Sequence, residues 1–208
     1  MPAIESLLPF LGISLILALT PGPDNLFVLL QSAMYGARTG FTIVLGLCSG
    51  LLVHTAIVAV GVGKMLTASS LAFMILKVAG ALYLAYLAWQ AFRAPAEVKA
   101  AEGSAFSSPW RAYTRGLLMN LSNPKVIVFF LAFLPQFVRP NSNNIAFQII
   151  SLGIIFIVVT LLVFSLISFF SGICGKLLTN SPSLQRWLHR IAGLVFLLLA
   201  FRLLIVHA

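Results

Sequence analysis

The sequence predicts an all-α, polytopic membrane protein of six transmembrane helices, arranged as two inverted three-helix repeats. Three observations support this fold class. Of 208 residues, 61% are hydrophobic and only 8% are charged, whereas about a quarter of the residues in a soluble domain are charged. Residues 39–63 and 140–175 carry no charge, and each run exceeds the ~20 residues that span a bilayer. Finally, two apolar stretches are each broken by proline next to a charged residue.

The apolar runs predict six spans, of which the first and the fourth are the proline-broken ones. The segment 93–112 mixes Ala, Ser, Pro and charged residues and is expected to be a cytoplasmic linker. The whole chain is therefore expected to be one transmembrane domain, with repeat one at about 1–92 and repeat two at about 113–208. The predicted spans cover residues 7–30, 40–63, 69–92, 113–134, 145–172 and 187–206.

The thirteen Lys and Arg residues lie mostly at the ends of apolar runs, and they give the chain a net charge of +9. Such placement is typical of membrane topology, so no nucleic-acid partner is expected. Cytoplasmic loops of membrane proteins carry an excess of Lys and Arg. The connections after spans one, three and five are therefore expected in the cytoplasm, with both termini outside. Their basic residues are Arg38, Arg93, Lys99, Arg111, Arg115, Lys176, Arg186 and Arg190.

Short motifs recur between the two halves of the chain. Because three helices are an odd number, two such units lie upside down relative to each other in a membrane. Paired, proline-interrupted spans in matching places of an inverted repeat indicate the substrate site of a transporter. Lys77-Val-Ala-Gly80 matches Arg190-Ile-Ala-Gly193 and Tyr83-Leu84 matches Phe196-Leu197, both 113 residues apart, and Pro23-Asp24 matches Pro124-Lys125, 101 residues apart.

Asp24 and Lys125 each directly follow a proline inside an apolar stretch. A charge at mid-bilayer costs at least about 2.5–3.5 kcal/mol, so such residues usually face a polar cavity or a partner. Pro21 and Pro23 lack an amide donor and Gly22 adds backbone freedom, so the helix is expected to open there. Unpaired backbone groups are tolerated at membrane depth only where they line a cavity. The two breaks therefore predict a transport pathway.

A zwitterionic amino acid would match these breaks, because it offers a carboxylate to Lys125 and an ammonium to Asp24. A half-helix that begins after a break also directs amide donors at an anion. Alternatively, the two side chains form an internal salt bridge that holds the two halves together. Both roles can coexist if the salt bridge is a gate that the substrate or a proton opens. A buried acid such as Asp24 is also a candidate proton carrier. The candidate binding or coupling residues are Pro21, Gly22, Pro23, Asp24, Asn25, Asn120, Asn123, Pro124 and Lys125.

The second span carries Gly46, Gly50 and His54 at four-residue steps. Small residues at this spacing let helices approach closely. The two glycines are therefore expected to pack helices together. His54 either relays protons or contacts substrate, or it forms a hydrogen bond to a neighbouring helix.

Three blocks of sequence carry a resemblance to a known family. They are Thr20-Pro21-Gly22-Pro23-Asp24-Asn25, the series Gly36, Gly40, Gly46 and Gly50, and Asn120-Leu-Ser-Asn123-Pro124-Lys125 followed by residues 129–137. On these residues the chain resembles, over its whole length, the LysE/RhtB family of bacterial amino-acid exporters. The resemblance implies a secondary transporter of the inner membrane that exports amino acids in exchange for protons, and it implies a possible homodimer. Because the spans hold no second acid besides Asp24, we expect neutral substrates such as threonine, homoserine or leucine.

Other classes of membrane protein remain as alternatives. A cationic amino-acid exporter fits if Asp24 is free to hold a substrate side chain. A thiol–disulfide electron conductor also uses two three-helix halves, but it needs two cysteines that meet, and Cys48 and Cys174 occupy poorly matched positions. A metal-ion permease is disfavoured because the spans lack His, Cys and acidic residues at ligand-like spacing. No nucleophile–base pair and no phosphate-binding loop is present, so we expect no enzyme activity, no cofactor and no bound metal.

Overall fold

The structure, a computed structural model, describes residues 4–68, 70–94, 108–139, 144–171 and 181–205. Every regular element in these ranges is helical. Four helices are long and apolar enough to cross a membrane, and two bent helix pairs raise the number of candidate spans to as many as six. The predicted all-α, polytopic class is thereby confirmed. Residues 95–107, which form most of the predicted linker, and residues 172–180, which include Cys174, lie outside the described ranges.

The helices of the described residues follow the predicted spans in order. The last two segments of the fourth span depart from α-helical geometry, first as a π-helix and then as a 3-10 helix. The α-helices are α1 (Ile4–Leu19), α2 (Pro23–Tyr35), α3 (Ala37–Ala68), α4 (Ser70–Arg93), α5 (Pro109–Leu121), α6 (Pro124–Val128), α7 (Ile145–Phe169) and α8 (Pro182–Ile205), with the π-helix at Phe129–Phe133 and the 3-10 helix at Leu134–Phe137.

The first and fourth spans are bent where the prolines predict a break. Helices α1 and α2 meet at an angle of 55°, and α5 meets the segment Pro124–Phe137 at 50°. Pro23 and Pro124 occupy the first turns of α2 and α6, where a missing amide proton breaks no helical hydrogen bond. The predicted proline breaks are therefore confirmed. The inverted relation of the two halves stays a prediction.

Most helices extend beyond the predicted spans, which were bounded by hydrophobicity. Helix α2 continues through polar residues to Tyr35 and ends at Gly36, whose φ of +90° is a conformation that favours glycine. The amide of Gly36 donates to the carbonyl of Ser32 at 2.9 Å and closes the last turn. Since α3 begins at Ala37, a single residue connects the first two spans.

The π-helical and 3-10 segments have a local cause in Pro135. This residue has no amide proton to return to the carbonyl of Leu131, so the regular α-helical ladder cannot continue. The amide of Leu134 instead donates to the carbonyl of Phe129, five residues back. The chain then tightens, and the amide of Val138 donates to the carbonyl of Pro135 at 3.1 Å. The fourth span thereby extends three residues past its predicted end.

Helix α3 lies at the centre and packs against α2, α5 and α7, while α1 packs against α7 and α4 against α8. The contact between α3 and α5 is close because glycines face main chain on both sides. A Cβ atom at Gly46 would collide with the carbonyl oxygen of Tyr113, and one at Gly116 would collide with the carbonyl oxygen of Ile43. Small residues at such crossings let backbones meet.

An aromatic cluster supports the fourth span just beyond its break. The rings of Phe129 and Phe156 stack at 4.6 Å between centroids, and Phe10 meets Phe137 edge to face at 5.2 Å. The side chains of Phe10, Phe129 and Phe156 are at most 4% exposed. The cluster therefore joins α1, the π-helical segment and α7 next to the break of the fourth span.

Candidate functional site

Asp24 and Lys125 lie together in the interior, one in the first turn of each half-helix that follows a break. Asp24 is 3% exposed and Lys125 is 6% exposed. The side chains that act electrostatically on the Asp24 carboxylate are Lys125 and Asn123. The two bends therefore bring both predicted charges to one buried region.

Lys125 caps the end of α1 across the interface between the two halves. Its Nζ donates to the carbonyl oxygens of Leu17 at 3.4 Å and Thr20 at 3.3 Å. In a continuous helix the carbonyl of Leu17 would accept from residue 21, but Pro21 has no amide proton. A Cβ atom at Gly22 would lie 3.1 Å from Nζ, so the absent side chain leaves room for this ammonium group. Lys125 thus satisfies carbonyl groups at the C-terminal, negative end of α1.

Asparagine side chains complete the hydrogen bonding at both breaks. Nδ2 of Asn25 donates to the carbonyl of Ala18 at 2.6 Å, which is the next carbonyl exposed by the first break. At the second break, Oδ1 of Asn123 accepts from the amide of Lys125 at 3.0 Å and caps the N-terminus of α6. Both asparagines therefore stabilise open backbone.

His54 serves the second break in the way that Lys125 serves the first. Pro124 removes the amide proton that would bond the carbonyl of Asn120. Nε2 of His54 lies 3.4 Å from that carbonyl oxygen, which also accepts from the amide of Asn123 at 3.0 Å. The His54 ring packs 5.7 Å from the ring of Phe130. The structure places His54 beside the break and in neither of the cavities described below.

Several buried polar atoms around the breaks lack a hydrogen-bond partner within the described part of the chain. Native cores normally pair nearly all such atoms, so an unpaired group calls for an explanation. Five of the nine such atoms in the described part of the chain lie on residues at the breaks or in the pocket beside them, where a polar ligand would find donors and acceptors. They are Oδ1 of Asp24, Oδ1 of Asn25, Oδ1 of Asn120, Nδ2 of Asn123 and Oγ1 of Thr160.

A cavity of about 370 Å³, here called the outer cavity, lies between the two breaks and the α4–α8 pair. Both breaks contribute to one side of it, and side chains of α4 and α8 form the opposite wall. Ligand sites in proteins usually measure about 300–1,000 Å³, so this volume suits a small metabolite. Its lining includes Pro21, Gly22, Pro23, Asn123, Pro124 and Lys125 at the breaks, and Tyr83, Leu87, Gln90, His189 and Phe196 on the opposite wall.

A second space of about 20 Å³ is here called the inner pocket. Lys125 lines both spaces and is the residue that their linings share. The inner pocket carries Asp24 and Asn120 among apolar walls. Its lining comprises Leu17, Ala18, Asp24, Leu51, Asn120, Lys125, Val126, Phe156, Thr160 and Phe164.

The sequence did not predict the polar residues on the far wall or in α7. Tyr83 has a signal, since it is paired with Phe196 in the internal repeat and both line the outer cavity. Gln90 and His189 lie on apolar helices without a motif, and only the packing of α4 against α8 brings them to the cavity. Thr160 is one of several hydroxyl residues in an uncharged run, and nothing in the run distinguishes it.

Gly46 and Gly50 both face α5. Gly46 meets its main chain, as described above, whereas a Cβ atom at Gly50 would lie 2.6 Å from Oδ1 of Asn120. Gly50 therefore makes room for a side chain of the inner pocket. Cys48 is a free, buried thiol in an apolar cluster with Val44, Leu47 and Phe164.

Comparison with known proteins agrees with this arrangement. Residues 15–207 match the family model of the LysE type translocator. The homoserine/homoserine lactone efflux protein of Salmonella typhimurium is 38% identical over 154 residues, which cover 74% of each chain. A membrane protein of Pseudomonas aeruginosa is 37% identical over 167 residues, 76% of each chain, and one of Vibrio cholerae is 30% identical over 190 residues, 91% of this chain and 92% of its own. No solved structure matches the chain.

The family model covers the chain from residue 15, within α1, onward, including both breaks and the side chains that converge on the two cavities. The same residues that carry the chemistry of the candidate site thus lie within the matched region. The chain belongs to the LysE family of translocators.

Proposed function

We propose that this protein is a secondary transporter that exports neutral amino acids across the inner membrane in exchange for protons. The observation that carries the proposal is the outer cavity, which opens between two broken helices and presents the Lys125 ammonium beside the Asn123 side chain. In this proposal Lys125 receives the substrate carboxylate, and the substrate side chain faces the α4–α8 wall. The basic connections after spans one, three and five support a cytoplasmic placement of those loops.

The charges of the lining support a neutral substrate. In the described residues that line the outer cavity, no acidic side chain is present, and the carboxylate of Asp24 lies in the inner pocket. A cationic side chain in the outer cavity would therefore face the Lys125 charge without a balancing acid. The Salmonella typhimurium relative is named for efflux of homoserine and homoserine lactone. Homoserine is a neutral amino acid, so this name supports both the substrate class and the direction.

Transport into inverted membrane vesicles tests the proposal. Vesicles carrying the protein, with an imposed pH gradient, are expected to accumulate labelled homoserine, threonine or leucine in preference to lysine and arginine. Vesicles without the protein provide the background. A preference for lysine and arginine would favour the cationic exporter, and failure to accumulate any amino acid would refute the proposal.

Replacement of the two cysteines distinguishes the exporter from the alternative, a thiol–disulfide electron conductor. We expect the double variant Cys48→Ser, Cys174→Ser to retain homoserine export, because an exporter needs neither thiol. Loss of export specific to removal of these thiols, together with disulfide transfer in the parent protein, would favour the electron conductor.

Replacement of Asp24 by asparagine is expected to uncouple transport from the proton gradient. The carboxyl group can bind and release a proton in a buried, water-poor site, whereas an amide of the same size cannot. Asp24→Asn should therefore exchange labelled for unlabelled homoserine, at a higher KM, but fail to accumulate it when a pH gradient is applied. Asp24→Glu, which retains a carboxyl group, is the matched control. If Asp24→Asn still responds to the pH gradient, another group carries the proton.

A further inference from the structure

The inner pocket is a buried space of the size of a single small group. Its volume is about 20 Å³, and a cavity of about 10–15 Å³ by this measure already holds one water molecule. It lies where α1 ends against α3, α5, α6 and α7. A whole amino acid does not fit in this volume, so a ligand can place only one small functional group in the pocket.

Three oxygen atoms on residues of this pocket lack a hydrogen-bond partner within the described part of the chain. They are Oδ1 of Asp24, Oδ1 of Asn120 and Oγ1 of Thr160, and these residues are 2–3% exposed. A carboxylate oxygen and an amide oxygen accept hydrogen bonds and donate none, while a hydroxyl does both. The pocket therefore has unused capacity to accept from a group with several donors.

The Asp24 carboxylate and the apolar walls of the pocket favour a cation over a neutral donor. Asp24 supplies a negative charge, while the ammonium group of Lys125 is directed to the carbonyls of Leu17 and Thr20. Phe156, Phe164 and Leu51 form apolar walls, which exclude water and strengthen electrostatic interactions inside. A primary ammonium group carries three donors and a positive charge, and it is about the size of a water molecule.

We propose that the inner pocket is the subsite for the α-ammonium group of the transported amino acid, and that it selects primary amines. The inference rests on the proposed function. Asp24, Asn120 and Thr160 each accept one hydrogen bond from the ammonium group. The carboxylate of the transported amino acid binds Lys125, which borders both spaces. Its α-carbon therefore lies at the boundary between them, and its side chain remains in the outer cavity. N-methyl groups have no room in the pocket and remove donors.

Competition with substrate analogues tests the subsite in the unaltered protein. In vesicles carrying the protein, export of labelled homoserine is challenged with unlabelled homoserine, its N,N-dimethyl derivative, or the hydroxy acid that has a hydroxyl in place of the amine. Homoserine is expected to compete at least about tenfold better than either analogue, since one lost hydrogen bond to a charged group corresponds to at least this factor. Equal competition by the dimethyl derivative would overturn the subsite.

Thr160→Val tests the newly assigned residue, because it removes the hydroxyl and preserves the shape of the side chain. We expect the KM for homoserine to rise about tenfold and the preference over the dimethyl derivative to shrink. Thr55→Val is the matched control, since Thr55 is also a buried threonine but its hydroxyl donates to the carbonyl of Leu51 at 2.8 Å. Thr160→Ser, which keeps the hydroxyl, should retain most of the preference.

The outcomes separate this inference from the proposed function. An unchanged KM and an unchanged preference in Thr160→Val would overturn the subsite while leaving amino-acid export intact. Absence of any homoserine, threonine or leucine transport by the parent protein would overturn both.

Discussion

Lys125→Met is expected to abolish transport and to destabilise the folded protein by about 3–5 kcal/mol, the range for removing one partner of a buried charge pair. The substitution preserves an unbranched side chain but leaves the carbonyls of Leu17 and Thr20 without their donor. It also leaves the Asp24 carboxylate without the neighbouring positive charge. Homoserine export should fall to the level of vesicles without the protein, and the unfolding temperature in detergent should fall as well.

The matched control is Lys77→Met, which removes the same charge from an apolar span but at a half-buried position in α4. This variant should export homoserine normally. The double variant Asp24→Asn, Lys125→Met removes the uncompensated carboxylate and is expected to recover part of the stability but no transport. Recovery of pH-driven export in the double variant would mean that the two charges serve only to hold the halves together.

Gly46→Val is expected to prevent the folded bundle from forming. A Cβ atom at this position collides with the carbonyl oxygen of Tyr113 on α5, and main chain cannot move aside as a flexible side chain can. Overpacking of a core costs about 1–3 kcal/mol, and occasionally more. Because the obstruction is main chain of α5, we expect a cost beyond this range and a large loss of monodisperse protein in detergent.

Gly61→Val on the same helix is the control, because a Cβ atom there meets nothing within 4 Å. Both substitutions place valine inside α3, so they share the same effect on helix propensity. The Gly61 variant should be produced and should transport at the level of the parent protein. Equal loss in both variants would attribute the effect to valine in the helix and not to the contact with α5.

The sequence predicted the spans and their breaks well, because both depend on local properties. Hydrophobicity defines which segments enter the membrane. Pro21, Pro23 and Pro124 lack an amide proton whatever the tertiary structure around them. Helix ends were less accurate, since polar residues continue α2 until Gly36 changes the backbone direction. The π-helical turn depends on Pro135, whose missing donor is visible in the sequence although the geometry that replaces it is not.

The composition of the candidate site was only partly predictable. A missing donor at Pro21 implies an unpaired carbonyl at Leu17, but not which side chain approaches it from the other half of the chain. The outer wall with Tyr83 and His189 depends on how α4 packs against α8, a contact between residues far apart in sequence. Thr160 enters the inner pocket through the same kind of long-range packing.

The capping of α1 by Lys125 has a consequence for biogenesis. During synthesis the first span leaves the ribosome about a hundred residues before the lysine that completes its hydrogen bonding. Until then, the open turn after Leu19 must be hydrated or held by the insertion machinery, because bare carbonyls are unfavourable in hydrocarbon. The N-terminal half therefore reaches its final conformation only after the C-terminal half has been inserted. The outer cavity and the inner pocket consequently form late, after membrane insertion.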